Sequence, residues 1–204
     1  MPPKVTEEYK EQKKKELLES AMACFAEKGY QSATIDDIVA HSGMSKGAVY
    51  NYFKSKEDIY LTLLEEATKF SFARFHQSFT PDMSASEKLH QLFTINASLP
   101  FQEEEKRKWV SVQLEFWINA SRNPELKEKM RERLSMYRTF TQAIIQEGQE
   151  TGEFRKDVNP AVLAESFWVL LDGAFLHVLI DEEAYPYKSL FQLSEQLILN
   201  ELKP

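Results

Sequence analysis

Three hydroxyl residues, Thr34, Ser45 and Ser55, most tightly limit what this chain can fold into. Each stands directly before a run with helical spacing. A Ser or Thr there accepts a hydrogen bond from a backbone N–H of the first turn that has no partner within the helix. Thr34 opens the string T-I-D-D and Ser55 opens S-K-E-D. Asp37 and Asp58 stand three residues on, as the reciprocal partners of a capping box. Helix starts this close together allow only short helices between them. The second helix, with Ile35, Ile38 and Val39 on its apolar face, stops at Ser42-Gly43. The third, residues 46–53, follows after about three residues, which is helix-turn-helix spacing. A longer first helix, from about Thr6 to Lys28, carries the stripe Leu17, Ala21, Phe25 and ends at Gly29. A fourth helix carries Ile59 and Leu63 and runs to about Phe79.

The rest of the chain reads the same way. Helical patterns cover roughly 84–98, 102–120, 124–150, 159–180 and 187–202, separated by Leu99-Pro100, Asn123-Pro124, Gly152, Asn159-Pro160 and Tyr185-Pro186. No stretch alternates with the period of two that a half-buried strand needs. The expected class is all-α, with about nine helices in two parts, a helix-turn-helix domain over 11–71 (motif about 34–53) and a larger helical domain over 72–204.

Charge is spread unevenly along the chain. The net charge is −7, yet residues 1–56 carry net +1 and the remainder −8. The acidity therefore does not count against nucleic-acid binding by the N-terminal part alone. The single cysteine, Cys24, excludes an intramolecular disulfide, and the polar N-terminus has no secretory signal. The most apolar stretch, 167–180, contains Asp172 and His177 and is too short to span a bilayer. These features imply a cytoplasmic protein with no membrane partner.

On a helical wheel, Val49 and Phe53 share one stripe of the third helix, and Lys46, Gly47, Tyr50 and Asn51 share an adjacent arc. That arc offers a cation, a bare backbone, a phenol and an amide, which suits the major groove. Gly47 costs about 1 kcal/mol relative to alanine in a helix. Either a close approach to DNA or close packing of helices would explain it.

The stretch Ala21–Tyr60 resembles the N-terminal domain of the TetR family of bacterial transcriptional regulators. The matching elements are Phe25 with Gly29-Tyr30, Thr34 with Ile38, Gly43, Ser45-Lys46-Gly47, Tyr50, Tyr52-Phe53 and Ser55-Lys56-Glu57. The resemblance implies a homodimer that binds operator DNA and a small-molecule inducer, most simply a repressor released by that inducer. A ligand-responsive activator and a helical adaptor without DNA binding are the alternatives. It also implies DNA contacts from Ser45, Lys46, Gly47, Tyr50 and Tyr52, phosphate contacts from Thr34 and Lys56, and a sequence preference carried by Ala48 and Asn51. Ala33, where Thr is frequent, and His41-Ser42, where small residues are, depart from the family pattern. Lys13, Lys14 and Lys15 reach toward phosphate or form a solvated face with Glu11 and Glu16.

Beyond residue 72 no motif is specific. Trp109, Phe116, Trp117, Tyr137, Phe140, Phe167, Trp168 and His177, with Phe175, are either core or the lining of a pocket for an apolar or flat ligand. Glu115 and Asp172 would favour a cationic one. The helix over 159–180 is apolar nearly all round, which calls for burial on two sides. With 187–202 it is the expected homodimer contact. Four scattered histidines, no phosphate-cradling glycine loop and no ligand cluster give no catalytic residue, metal site or cofactor, and the expectation is a protein that is not an enzyme.

Overall fold

The helix starts are built from the side chains that the sequence offers for them. The structure is a computed structural model that describes residues 6–100 and 103–203. Thr6, Thr34, Ser45, Ser55 and Ser84 each accept a bond from the backbone N–H three residues on. They open α1 (Glu7–Lys28), α2 (Ile35–Ser42), α3 (Lys46–Tyr52), α4 (Lys56–Ser78) and α5 (Ala85–Ala97). Asn123 and Asn159 cap α7 (Pro124–Thr151) and α8 (Pro160–Asp181), each with proline at the first helical position, where its missing N–H costs nothing. α6 (Glu104–Ser121) has no side-chain cap, and its expected start at 102 lies outside the described residues. A 3₁₀ turn (Glu182–Ala184) leads to α9 (Tyr187–Leu202). Among the described residues there are nine α-helices and no strand, as the periodicity predicts.

Two apolar clusters hold these helices. One joins α1–α3 and the first half of α4 to Val112, Phe116 and Ala120 of α6 and to Leu126 and Met130 of α7. The other gathers Phe75, α5, much of α7, α8 and α9. α4 runs unbroken through residues 71 and 72 and serves both clusters.

α8 is longer than the apolar stretch first suggests. It is 22 residues long, with a mean hydropathy of 1.6 over its most apolar 18-residue window, long and apolar enough to cross a membrane by length and composition. Counting from Phe167 misses its first turns, which begin at the Asn159 cap. Ala164, Phe167, Leu171, Ala174 and Val178 are buried, whereas Val162, Val169, Leu170, Leu176 and Ile180 are exposed. The apolar residues thus exceed what one chain covers.

Candidate nucleic-acid interface and effector cavity

α3 is held from behind. Val49 and Phe53 are buried, and Ser45 caps the helix through the Ala48 N–H at 3.2 Å. Lys46, Gly47, Tyr50 and Asn51 are exposed on the outer side, with Ala48 and Tyr52 half-buried beneath them. A Cβ built on Gly47 would meet nothing within 4 Å. The packing explanation for this glycine therefore has no support in the protein's own contacts. Lys46 pairs with Asp36 at 2.7 Å on the open surface, which raises its pKa through that bond. The Thr34 hydroxyl donates to Asp37 at 2.7 Å and accepts from the Asp37 N–H. The Asp37 carboxyl also takes Lys28 at 2.6 Å, and these bonds hold its pKa down at about 2.

Lys56 is placed differently from its expected phosphate role. Its ammonium donates to the carbonyls of Tyr30, Gln31 and Ala33 at 2.7, 3.1 and 2.9 Å and lies 4.6 Å from the Tyr30 ring centre. All three of its protons are used to fasten the α1–α2 loop. The sequence reading did not single out Lys54, which is exposed just after α3 and forms no side-chain ion pair with another described residue.

A cavity of about 140 Å³ lies between α4, α6, α7 and α8. It gathers Trp109, Trp117, Tyr137 and Trp168 from the expected lining, and Phe175 with them. The other four expected residues lie elsewhere. Phe116 stacks on Tyr60 at 4.0 Å in the N-terminal cluster. Phe140 packs among Phe72, Phe75 and Phe79, and Phe167 meets Phe93. His177 is exposed and stacks on Tyr185. Helical spacing groups all of these residues because a wheel cannot say which neighbour each face meets. Charge enters the cavity through Arg133, Arg138, Glu165 and Asp172. Arg138 pairs with Glu165 at 2.6 Å. Burial pushes the Asp172 carboxyl up to about 7, against the pull of Arg133 and Arg138. Among the described residues no group of three or more His, Cys, Asp or Glu side chains is placed to hold a metal.

α6 joins the two regions. Trp109, Gln113 and Trp117 face the cavity, while Val112, Glu115 and Phe116 face the N-terminal helices. The Glu115 carboxylate accepts the Tyr30 N–H at 2.7 Å, and the Tyr60 hydroxyl donates to the Val112 carbonyl at 3.4 Å. Gly29 has φ +77°, and a Cβ there would come within 2.9 Å of the Glu115 carboxylate. The loop that Lys56 fastens on one side is therefore gripped by α6 on the other.

Known proteins share this arrangement. Residues 17–63 match the family described as bacterial regulatory proteins, tetR family, and residues 85–203 match the BetI-type transcriptional repressor C-terminal domain. The HTH-type transcriptional regulator YfiR of Bacillus subtilis is 30% identical, over 90% of this chain and 88% of its own length. Bacillus subtilis FadR, crystallised with stearoyl-CoA, superposes with a TM-score of 0.80 at 23% identity, covering 92% of this chain and 98% of its own. A transcriptional regulator from Saccharomonospora viridis in complex with choline also gives 0.80, at 25% identity, covering 95% and 99%. With a capped helix-turn-helix whose outer face is open and family models matched along both halves, this chain belongs to the TetR family of DNA-binding transcriptional regulators.

Proposed function

We propose that the chain acts as a homodimeric repressor, released from a palindromic operator when a small molecule fills the cavity. Residues 11–71 form the DNA-binding unit and 72–204 the regulatory one, with α4 continuous between them. One observation carries this reading. α6 presents cavity residues on one face and the grip on the α1–α2 loop on the other. Filling the cavity shifts α6, and α6 cannot shift without moving that loop. Release is limited by the difference in ligand affinity between the two states.

α3 enters the major groove with Gly47 nearest the DNA. Ser45, Lys46, Tyr50 and Tyr52 contact it, Ala48 and Asn51 set base preference, and Thr34 presents the α2 N-terminus to phosphate. Lys56 acts indirectly by fixing the loop, and Lys54 is added as a phosphate contact. The exposed stripe of α8, with Leu193 and Leu197 of α9, joins its copy in a second subunit. Such a contact is isologous, as a palindrome requires, with half-sites about 34–36 Å apart. The same pairing accounts for the surplus apolar surface of α8 without a membrane, and the site of action is the cytoplasm, where the DNA is. Regulators with this fold have been crystallised with ligands as unlike as stearoyl-CoA and choline, so this chain's own lining decides its ligand.

The test is fluorescence anisotropy of the chain's own upstream DNA, with fractionated cell metabolites added. Saturable binding that one fraction reverses, at a stoichiometry of two chains per site, is the expected result. Binding that no fraction reverses contradicts release, and a reporter that falls when the gene is deleted makes the protein an activator.

A further inference from the structure

The first turns of α1 carry no buried residue. Burial in this helix begins at Leu17 and continues through Leu18, Ala21, Cys24 and Phe25, so Glu7–Glu16 runs ahead of the core for nearly three turns, about 15 Å. At about 100° per residue, Lys10 and Lys14 fall at the centre of the face that buries Leu17, Ala21 and Phe25 further on. The stripe that packs against α2 and α3 therefore continues past the core with lysines in place of apolar residues. Tyr52, the last residue of α3, lies close by. The pKa values of Lys10 and Lys13 are raised mainly by bonds to Glu7 and Glu16, and further by the Tyr52 phenol. The lysines of this segment differ in what holds them. Lys10 pairs with Glu7 at 2.7 Å, Lys13 with Glu16 at 2.5 Å and Lys15 with Glu19 at 3.9 Å. Lys13 also rests 5.7 Å from the Tyr9 ring centre. Lys14 is half-buried and its side chain forms no hydrogen bond or ion pair with another described residue. The next turn offers it only Leu17 and Leu18.

We propose that Lys14 contacts the DNA phosphate backbone beside the groove that α3 enters, and that Lys13 and Lys15 belong to a solvated face. The proposal rests on the reading of α3 as the groove helix. Of the three consecutive lysines, only Lys14 brings an ammonium that need not leave a carboxylate to reach a phosphate. Helical side chains lean toward the N-terminus, so the Lys14 stem leads away from Leu17 and Leu18 and out of the core. Such a stem lies along apolar surface while its charged head stays in water, where a phosphate can meet it. Tyr52 lies on the same side, two residues before the exposed Lys54. Lysine is a compact charge on a flexible stem and has no fork to match a base edge, so this contact adds affinity without choosing sequence. The remainder of the chain, at net −8, repels phosphate, and the positive groups that offset it come from the first 56 residues.

The test is the salt dependence of operator binding by the whole protein, read by anisotropy of the labelled upstream duplex from about 50 to about 200 mM salt. Lys14→Ala, Lys14→Arg, Lys13→Ala and Lys15→Ala are compared with the wild-type chain. Alanine is the best helix former, and circular dichroism checks that each variant keeps its helical content. Lys14→Ala should flatten the slope of log affinity against log salt by about one unit per half-site and weaken binding roughly tenfold at the low-salt end. It should still select the same inverted repeat from a random pool, because a phosphate contact carries no base preference. Lys14→Arg keeps the charge and should keep the slope. Lys13→Ala and Lys15→Ala should leave the slope unchanged. The proposal is overturned if Lys14→Ala keeps the wild-type slope, if all three alanine variants flatten it equally, or if Lys14→Ala selects a different repeat. Gly47→Leu separates this contact from the reading on which it rests. Binding lost in Gly47→Leu with an unchanged slope in Lys14→Ala removes Lys14 alone. A flattened slope in Lys14→Ala with Gly47→Leu still bound keeps the Lys14 contact and removes α3 from the groove.

Discussion

At the scale of single residues, the structure separates groups that the sequence makes look alike. Gly47 stands in open space at a negative φ, so nothing in the chain requires glycine there. Gly47→Ala should therefore stabilise the fold by up to about 1 kcal/mol while weakening operator binding, read by thermal unfolding and anisotropy on one preparation. Lys56 has the sequence context of a phosphate contact, but the carbonyls it serves lie more than twenty residues earlier. No local pattern could have shown that. Lys56→Met should cost about 1–3 kcal/mol by leaving those carbonyls unpaired, with an unchanged salt slope of DNA binding. Lys54→Ala should flatten that slope, and a Lys56 variant that flattens it instead would return Lys56 to the phosphate. Asp172 has a folded pKa of about 7, above its ordinary value. The fold therefore binds a proton there that the unfolded chain gives up, and stability falls as pH rises from about 4 to about 7. Asp172→Asn should raise stability at pH 8 by roughly 1–3 kcal/mol, discounted for the solvent that reaches this half-buried group, and change little at pH 4. Equal effects at both pH values would show that the carboxyl is not perturbed.

At the scale of helices, ends were far more legible than faces. Hydroxyl and Asn caps, prolines at first positions and glycines after last ones are local chemistry, and they place most helix starts and the ends of α1, α2 and α7. A face depends on what packs against it. Phe116 and Trp117 are adjacent in sequence, yet Phe116 is buried in the core shared with the N-terminal helices, whereas Trp117 packs against that core and also lines the cavity. The proposed coupling rests on that division of α6. Glu115→Gln keeps the shape of the grip but loses its charge-assisted bond to the Tyr30 N–H, a kind roughly twice as strong as a neutral one. The variant should bind operator within a few-fold of the original and need several-fold more ligand to release it. A release curve that superimposes on the wild-type one would take Glu115 out of the coupling.

At the scale of the whole molecule, composition and periodicity give an all-α chain with a basic start and an acidic remainder. They do not show that its two apolar clusters share α4, α6 and α7. The N-terminal helices are built onto the rest, so their position can depend on what the cavity holds. The exposed stripe of α8 was legible as surplus hydrophobicity, and Ile180 at 76% exposure marks it most strongly. Ile180→Glu should leave the helical content intact, shift sedimentation from dimer toward monomer and lower operator affinity at least tenfold. A dimer of unchanged stability would place the contact elsewhere. The central claim is that α3 reads DNA with Gly47 against it, in a paired molecule. Selection of bound sequences from a random DNA pool by the wild-type protein and by Gly47→Leu tests it directly. The account predicts that the wild-type protein enriches an inverted repeat, and that the equally folded and dimeric variant enriches nothing. Enrichment of the same repeat by both proteins would contradict it.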